Sequence, residues 1–517
     1  MQLTKLTPHL RFITLAIAFA VAILAMTQPA TPTPISDLQS LFRDRSPISN
    51  LQYPIPNTQY PIPNTQQPAT TTVHVPLVLH NWPAATHTAQ VVFGTQFAPF
   101  QEEIPEMYAE VVARDLPRVQ QAGFTSIRTH VYWRDIEPAN TTPAAFNWAG
   151  YDQRLRDYQE HGLDPLVGIV GYPKWASRYA CGGGLLEGMA PEWRQFVRVL
   201  AERYSAPPYD VHLWEIGNEV DGETEVDPAE DGQRPPDQGR NEPTWPFGGC
   251  WGDMASEYVE FLRIAYQEIK TVDPDATVMA GSLAYAEFGH WFIQDFFDNF
   301  LAAGGAAYTD VVGFHWFKGF QSWPTAVDKA GELRGIMVAR GVDKPLWLTE
   351  TYMPDRAQDN DRRQERYNFI TQDLPRALGS GEIERVYWYS FSDWPAGWSD
   401  IDRGLVTREH QPKPGLKVFE IMAEFVDGIP GQAHLPGVEM YRFRRPDAGE
   451  ESWVLWSTDG ETHTTTLPAP GTTVTAGRID MGDSYATTQL VPVDITVNQG
   501  QTRIPVGQDT VFVRIRP

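Results

Sequence analysis

Basic residues are scarce in this sequence. It has 41 Lys and Arg against 65 Asp and Glu, which gives a formal net charge of −24. No basic run occurs beyond the first dozen residues, and phosphate binding needs clustered Lys and Arg, so nucleic acid is not an expected partner. With 517 residues, 42% of them hydrophobic, the chain can bury a large core. This length predicts more than one domain, or one large barrel with an appendage.

One uncharged apolar run, FITLAIAFAVAILAM at 12–26, follows Lys5 and Arg11. Its length suits the core of a signal peptide and is short for a bilayer span. We therefore expect export, with 1–30 as a signal peptide. No clean small-x-small cleavage site follows the run, so the alternative is an uncleaved N-terminal membrane anchor, which would be the only membrane contact. The expected location is secreted or on the extracellular face of the cell envelope.

The next segment, 31–88, is rich in Pro, Thr, Asn and Gln and contains the direct repeat QYPIPNT at 52–58 and 59–65. Such a composition cannot bury enough apolar surface to offset the conformational entropy of the chain. The segment is predicted to be a disordered linker with extended, polyproline-like character.

Between 89 and 425 the pattern changes to short apolar runs that alternate with amphipathic, helix-like stretches. This alternation predicts repeated strand-helix units and an α/β fold, a (β/α)8 TIM barrel with long loops. A doubly wound open sheet is the alternative, but no glycine-rich phosphate-binding motif follows the first strand. The eight predicted strands are VVFGTQF from Val91, SIRTHVYW from Ser126, PLVGIVGY from Pro165, VHLWEIGNE from Val211, TVMAGSL from Thr277, VVGFHWF from Val311, PLWLTE from Pro345 and RVYWYSFSD from Arg385.

The remaining tail, 428–517, has short alternating runs such as SWVLWST and DTVFVRIRP, separated by Gly, Pro and Asp turns. This pattern predicts a small C-terminal antiparallel β-sandwich without catalytic residues.

Two glutamates end predicted barrel strands: Glu219 ends the fourth, in WEIGNE, and Glu350 ends the seventh. Barrel enzymes place their active sites at this face, and two carboxylates across a cleft suit glycoside hydrolysis. Glu215 points the same way as Glu219 but about 13 Å deeper, at roughly 3.3 Å per residue. It is therefore expected to be a buried, hydrogen-bonded barrel residue and not half of a catalytic pair.

The chain from about 91 to 420 resembles the retaining glycoside hydrolases of clan A, of the family 5, 39 and 42 types. Asn218 with Glu219, and Glu350, match the acid/base and nucleophile positions of that clan. Similar segments are WRDIEP at 133–138, FNWAGYD at 146–152, PEWRQFVRVLAERY, DPDATVMAGSL and QPKPGLKVFE. The resemblance implies cleavage of β-glycosidic bonds in a poly- or oligosaccharide by double displacement, without a cofactor.

The resemblance also implies roles for residues around the two glutamates. Arg128 would hold the nucleophile, Asn218 would bind the sugar 2-hydroxyl, His315 would line the cleft and Trp388 would form the floor of the sugar site. Trp175 and Trp316 are further candidates for sugar contacts, since aromatic faces pack on sugar rings. The sequence departs from the clan at strand 6, where many members have His-x-Tyr and this chain has HWF, ending in Phe317. Tyr285 or Tyr352 could supply the missing hydroxyl.

Cys181 and Cys250, the two cysteines, fall in the loops after predicted strands 3 and 4. In an exported protein these loops would bring them close enough to form a disulfide. The acidic loop 221–237 lacks the ligand spacing of a known calcium loop, so we predict no metal site. The expected partner is a carbohydrate substrate and the expected state is a monomer. The sequence leaves the sugar, and endo or exo action, open. A catalytically silent carbohydrate-binding protein on the same barrel is the alternative function.

Overall fold

The computed structural model describes residues 90–178, 183–222, 250–286, 292–355, 360–394, 401–469 and 473–517. The predicted signal or anchor segment, 1–30, and the predicted linker, 31–88, lie outside these residues. The described part of the chain contains no helix that is both long enough and apolar enough to cross a bilayer.

Eight parallel strands form a closed barrel. Their order is β5-β4-β3-β2-β1-β8-β7-β6, and parallel bridges from Met279 to Val311 and from Leu283 to Phe314 join β5 to β6. The predicted fold class is confirmed, with all eight strands at the predicted places. They are β1 (Val92–Gln96), β2 (Ser126–Tyr132), β3 (Asp164–Val170), β4 (Leu213–Asn218), β5 (Thr277–Ser282), β6 (Val312–His315), β7 (Leu346–Thr351) and β8 (Ile383–Tyr389).

Helices follow the strands and cover the outside of the barrel. The two long ones, α6 and α7, have apolar residues at intervals of three and four, which bury one face of each helix. Their bounds are α1 (Pro99–Glu103), α2 (Pro105–Glu110), α3 (Leu116–Gln121), α4 (Trp133–Ile136), α5 (Ala149–Glu160), α6 (Ala190–Tyr204), α7 (Ala255–Val272), α8 (Phe296–Ala302), α9 (Ala326–Ala339), α10 (Asn360–Asn368), α11 (Leu374–Gly379) and α12 (Pro414–Phe425). Single π-helical turns, Val111–Asp115 and Phe369–Asp373, precede α3 and α11.

The barrel interior has an apolar layer below a polar one. The apolar layer is a separate buried cluster, made of one side chain from each of β3, β4, β5, β7 and β8 and one from the residue just before β6: Leu166, Leu213, Met279, Trp347, Tyr387 and Val311. Above it, towards the carboxyl ends of the strands, the buried side chains are polar and charged, including Arg128, Glu215 and Ser282. Apolar packing thus closes the bottom of the barrel, and its chemistry lies at the top.

The C-terminal region is an antiparallel β-sandwich of a six-stranded sheet (β14-β13-β17-β11-β10-β9) and a three-stranded sheet (β12-β16-β15). Its apolar core, which includes Leu455 and Val513, is buried between them. The strands are β9 (Ile429–Leu435), β10 (Val438–Arg445), β11 (Glu450–Ser457), β12 (His463–Pro468), β13 (Thr473–Asp480), β14 (Gln489–Pro492), β15 (Thr496–Asn498), β16 (Gln501–Val506) and β17 (Val511–Arg516).

The other face of the six-stranded sheet packs on the barrel helices. Phe512 lies against Phe425 of α12, with ring centroids 5.2 Å apart, and Trp456 belongs to the same buried cluster as the barrel core. Arg376 of α11 donates to Glu439 of β10 at 2.9 and 3.0 Å. The sandwich therefore packs against α11 and α12, the helices that precede and follow β8.

Candidate active site

Glu219 is placed by a break in the strand geometry at the end of β4. Gly217 has φ 95°, a conformation that favours glycine, and Glu219 itself has φ 47°. A non-glycine residue in this region is strained, and such strain is concentrated at functional sites. The break ends the alternation of the strand, so that Asn218 and Glu219 both reach groups inside the barrel mouth, Arg128 and His315 respectively.

Glu350 is placed by a bulge in β7. The pairing of β7 with β6 shifts by one residue, so that Leu348 lies beside Phe314 but Glu350 lies beside His315. In a regular strand Glu350 would face outward, on the same side as Leu348. The extra residue, Thr349, turns Glu350 inward. Bulges commonly re-aim a side chain beside an active site.

Arg128 of β2, which is fully buried, joins the two strands that carry the glutamates. Its Nη1 donates to Glu350 Oε1 at 2.6 Å and to Gln96 Oε1 at 2.9 Å. Its Nη2 donates to Glu215 Oε1 at 3.0 Å and to Asn218 Oδ1, and its Nε donates to Glu215 Oε2 at 2.7 Å. These contacts use all five N–H donors of the guanidinium, so the group is held in one orientation.

Glu215 is fully buried and hydrogen-bonded, as the sequence predicts, and its partner is Arg128. Ser282 donates to Glu215 Oε1 from its backbone N at 2.9 Å and from its hydroxyl at 2.6 Å. Burial acts to raise the pKa of Glu215, but the charge and bonds of Arg128 prevail and hold it below its usual value. Glu215 therefore stays ionised and balances one buried positive charge.

His315 of β6 lies between the two strand-end glutamates. Its Nδ1 is 3.0 Å from Glu219 Oε1, and its Nε2 is 3.8 Å from Glu350 Oε1. Burial lowers the pKa of His315 to about 4, and the nearby Arg128 contributes. The imidazole is therefore neutral near pH 7. One ring thus spans the distance between Glu219 and Glu350.

The two glutamates differ in their surroundings. Burial raises the pKa of Glu219 to about 7, and the positive charges of Arg128 and Lys329 only partly oppose this. Glu350, by contrast, accepts a charge-assisted hydrogen bond directly from Arg128. A pair of carboxyl groups with such different surroundings can divide the roles of acid and nucleophile.

The structure places the candidate tryptophans differently from the expectation. Trp316 and Trp388 are fully buried, each with 1% exposure, and Phe369 of the helix layer packs between them. The indole N–H of Trp388 donates to Arg403 O. The prediction that these two rings contact the sugar is therefore corrected, because they face the helices. Trp175, in the loop after β3, is partly exposed and packs edge-on against Trp133.

The aromatic residue of β8 that lies nearer the glutamates is Tyr389, and sequence reasoning missed it. It stands near Arg403, whose Cζ lies 5.4 Å from the Tyr389 ring, 4.9 Å from Tyr352 and 4.4 Å from Trp394. Burial raises the pKa of Tyr389, and the negative charge of Glu350 adds to the effect. Strict alternation from Tyr387, which faces the interior, would have indicated Tyr389. No sequence pattern indicates Arg403.

His130 of β2 is a second missed residue. Gly168 leaves room for it, since a Cβ there would lie 2.5 Å from the His130 ring. Burial, with a further contribution from the charge of Arg128, lowers the pKa of His130 to about 3. Alternation along β2 from Arg128 would have indicated that His130 faces the same interior.

Phe317 packs on Tyr352 with ring centroids 5.0 Å apart and has no hydroxyl to donate. Of the two suggested substitutes, Tyr285 donates its hydroxyl to Glu332 Oε1 at 2.8 Å. Tyr352 lies on the Glu350 side, where burial raises its pKa and Glu350 contributes. Of the two tyrosines, Tyr352 is thus the better candidate to supply a hydroxyl to Glu350 in place of the one missing at Phe317.

Of the two cysteines of the predicted disulfide, Cys181 lies outside the described residues. Cys250 is buried, and Gly183 N donates to its Sγ at 3.0 Å, so the chain two residues beyond position 181 reaches it. The disulfide stays a prediction. Within the described ranges, no group of three or more His, Cys, Asp or Glu side chains is arranged to hold a metal ion.

Comparison with known proteins agrees with this geometry. Residues 252–405 match the family model described as "Glycosyl hydrolase catalytic core". The match covers β5 to β8 and includes His315 and Glu350, and it confirms the prediction of a glycoside hydrolase. A search of curated protein sequences found no match.

Solved structures of glycoside hydrolases share the fold. A family 39 enzyme from the gut symbiont Bacteroides cellulosilyticus has a TM-score of 0.55 at 17% identity, over 82% of this chain and 80% of that chain. A family 39 β-xylosidase from Caulobacter crescentus has 0.57 at 17%, over 84% and 97%. The catalytic domain of family 30 xylanase C from Talaromyces cellulolyticus has 0.56 at 14%, over 83% and 98%. At these identities the likeness shows the fold, and it confirms the resemblance to clan A at that level.

Proposed function

We propose that this chain is an exported retaining glycosidase that cleaves β-glycosidic bonds, with Glu219 as acid/base and Glu350 as nucleophile. The observation that carries the proposal is His315, which lies with one ring nitrogen towards each glutamate. A neutral imidazole has one N–H and one lone pair, so it suits one protonated and one ionised carboxyl group. Glu219, with its raised pKa, can donate to Nδ1, and the N–H at Nε2 then faces the Glu350 carboxylate.

In the first step Glu350 attacks the anomeric carbon while Glu219 protonates the leaving oxygen. Glu350 forms the ester bond of a glycosyl-enzyme, and the aglycone leaves with the proton of Glu219. In the second step the Glu219 carboxylate takes a proton from water, which attacks the anomeric carbon and releases Glu350. Arg128 would hold Glu350 in place in both steps, because its further bonds to Glu215 and Gln96 involve no reacting group. Asn218, whose Oδ1 accepts a hydrogen bond from Arg128, would bind the sugar 2-hydroxyl.

The proposed substrate is a β-linked poly- or oligosaccharide, and the proposed state is a monomer outside the cell or on its envelope. A screen of purified protein on aryl β-xyloside, glucoside, galactoside and mannoside tests the activity. Xylosides come first, since two of the similar structures are named for xylosidase or xylanase activity. Hydrolysis of none of these, together with binding of oligosaccharides, would favour the silent carbohydrate-binding alternative.

The first-formed product should keep the anomeric configuration of the substrate. Retaining enzymes hold their carboxyl groups about 5 to 5.5 Å apart, and inverting enzymes about 6.5 to 9.5 Å, with a water between them. Proton NMR of the fresh product, recorded before mutarotation, measures this directly. If the opposite anomer forms first, Glu350 acts as a base and not as a nucleophile.

The pH dependence should follow the pKa of Glu219. The acid must be protonated, and burial raises this pKa to about 7, so kcat/KM for a substrate with a poor leaving group should fall as the pH rises through about 7. With Glu219→Gln, the residual activity on a substrate with a good leaving group should lack this basic limb. An unchanged basic limb in that variant would assign the titration to another group.

A further inference from the structure

Next to the proposed acid/base, four polar contacts and the backbone from Glu219 to Asp221 together form a closed loop, most of which the mechanism above does not use. We call it the anchoring ring; its members are Glu219, Asp221, Ala284, Lys329 and His315. From the structure we infer that Asp221 and Lys329 are positioning residues. They hold Glu219 and His315 in the positions that proton transfer to the leaving group requires. This inference rests on the proposed role of Glu219.

Asp221 ties the loop after β4 to the loop after β5. It is buried, and its carboxylate accepts the backbone N–H of Ala284 at 2.9 Å and that of Tyr285 at 2.7 Å. Tyr285 has φ 38° and Glu219, two residues before Asp221, has φ 47°. Two non-glycine residues in the left-handed region need compensating contacts from their surroundings. Asp221 supplies such contacts at one of them and is part of the turn that carries the other, where Gly222 N donates to Glu219 O at 3.0 Å.

Lys329 closes the ring from the other side. Its side chain is fully buried in α9, and its ammonium donates to Ala284 O and to His315 O, both at 2.6 Å. It therefore bonds the same Ala284 peptide region that Asp221 holds, as well as the backbone of the histidine that contacts Glu219. A buried ammonium that bridges two strand-end carbonyls fixes the separation of β5 and β6 at the barrel mouth.

The ring returns to its start through His315, whose Nδ1 lies 3.0 Å from Glu219 Oε1. Breaking any link leaves Glu219 free to rotate away from the leaving oxygen, and a small misplacement of a catalytic group lowers the rate about a hundredfold. In the first step only proton donation would suffer directly, because Arg128 holds Glu350 separately. The effect should therefore depend on how much the leaving group needs protonation.

Two substitutions test the inference: Lys329→Met, which removes the ammonium, and Asp221→Asn, which keeps the shape and removes one acceptor. Each is assayed on aryl glycosides that span a range of leaving-group pKa, alone and combined with Glu219→Ala. The expected result is a loss in kcat/KM, which reports the first step, of about tenfold to a hundredfold on the poorest leaving group, with little change in kcat/KM on the best one. Added to Glu219→Ala, either substitution should cause no further loss.

Asp310→Asn is the matched control. Asp310 also accepts a backbone N–H, from Val278 at 2.9 Å, but at the opposite end of β5 and β6. This variant should lower stability without changing the dependence on the leaving group. Equal losses on all leaving groups, or a further loss in the Glu219→Ala background, would overturn the inference. If one ring variant does not fold, as judged by circular dichroism, the other decides.

The outcomes also separate this inference from the proposed function. Absence of glycosidase activity in the wild-type protein would contradict the proposed function itself. If the wild type is active and Glu219→Ala shows the leaving-group dependence, but the ring variants do not, only the inference about the anchoring ring is wrong.

Discussion

Glu350→Ala should reduce kcat by about four orders of magnitude or more on every aryl glycoside, including those with the best leaving groups. Neither alanine nor water held in its place can form the glycosyl ester, so the first step is lost whatever the leaving group. The measurement is kcat on an activated aryl β-glycoside, before and after addition of azide. Azide should enter the space vacated by the carboxylate, attack the anomeric carbon on that face, and give a glycosyl azide of inverted configuration.

The control for this substitution is Glu268→Gln in α7. Glu268 is also a buried carboxylate bonded to arginine, since Arg194 donates to it at 2.5 Å and Arg198 at 2.7 Å, but it lies on the outside of the barrel. We expect this variant to lose stability and to keep its kcat. If Glu350→Ala keeps more than about one hundredth of the wild-type rate, Glu350 is not the nucleophile.

Glu350→Ala should remain folded. Removal of one partner from a buried ion pair is destabilising when it leaves the other charge unpaired. Arg128 keeps two hydrogen bonds to the ionised Glu215 and one each to Gln96 and Asn218. A loss of activity in a protein with a nearly unchanged melting temperature would therefore reflect chemistry and not unfolding.

The fold was largely predictable because it follows from local patterns. Each apolar run of about seven residues became a barrel strand, and the runs with apolar residues at three and four became α6 and α7. The alternating tail became the sandwich for the same reason. Local patterns do not predict how the six-stranded sheet packs on the barrel helices, where Phe512 of β17 contacts Phe425 of α12.

The site was harder to predict because it depends on departures from regular strands. On β8 the strand is regular: alternation points Trp388 out of the barrel and Tyr389 into it. The error there came from the family resemblance, which assigned the sugar contact to Trp388. Glu350 faces inward only because of the bulge at Thr349, and a bulge has no sequence signature here. Simple alternation would have placed Glu350 on the wrong side.

The number of groups that one side chain contacts is not predictable from the sequence either. Arg128 was expected to hold the nucleophile, yet it also binds Glu215, Gln96 and Asn218. These residues lie on β4 and β1, and their convergence is set by the closure of the barrel. Contacts of this kind depend on three-dimensional packing and cannot be read from a single sequence.

Glu219→Ala should separate substrates by their leaving groups. On a poor leaving group, which needs a proton, we expect kcat/KM to fall by about two to four orders of magnitude, the usual contribution of general acid catalysis. On an activated aryl glycoside the first step needs no proton, so the glycosyl-enzyme still forms on Glu350. Its hydrolysis becomes slow, because the base that activates water is missing. The intermediate should then accumulate and be visible by mass spectrometry as a covalent adduct on Glu350.

Azide should rescue Glu219→Ala in the opposite stereochemical sense from Glu350→Ala. Azide is a good nucleophile without a general base, and in this variant it attacks the glycosyl-enzyme from the face that Glu219 occupied. Two inversions then give a glycosyl azide with the configuration of the substrate. The same azide anomer from both variants, or equal losses on all leaving groups for Glu219→Ala, would contradict the assigned roles. Opposite anomers would place the two glutamates on opposite faces of the sugar. The carboxyl groups on either side of His315 would then be an acid and a nucleophile, and not two structural carboxylates.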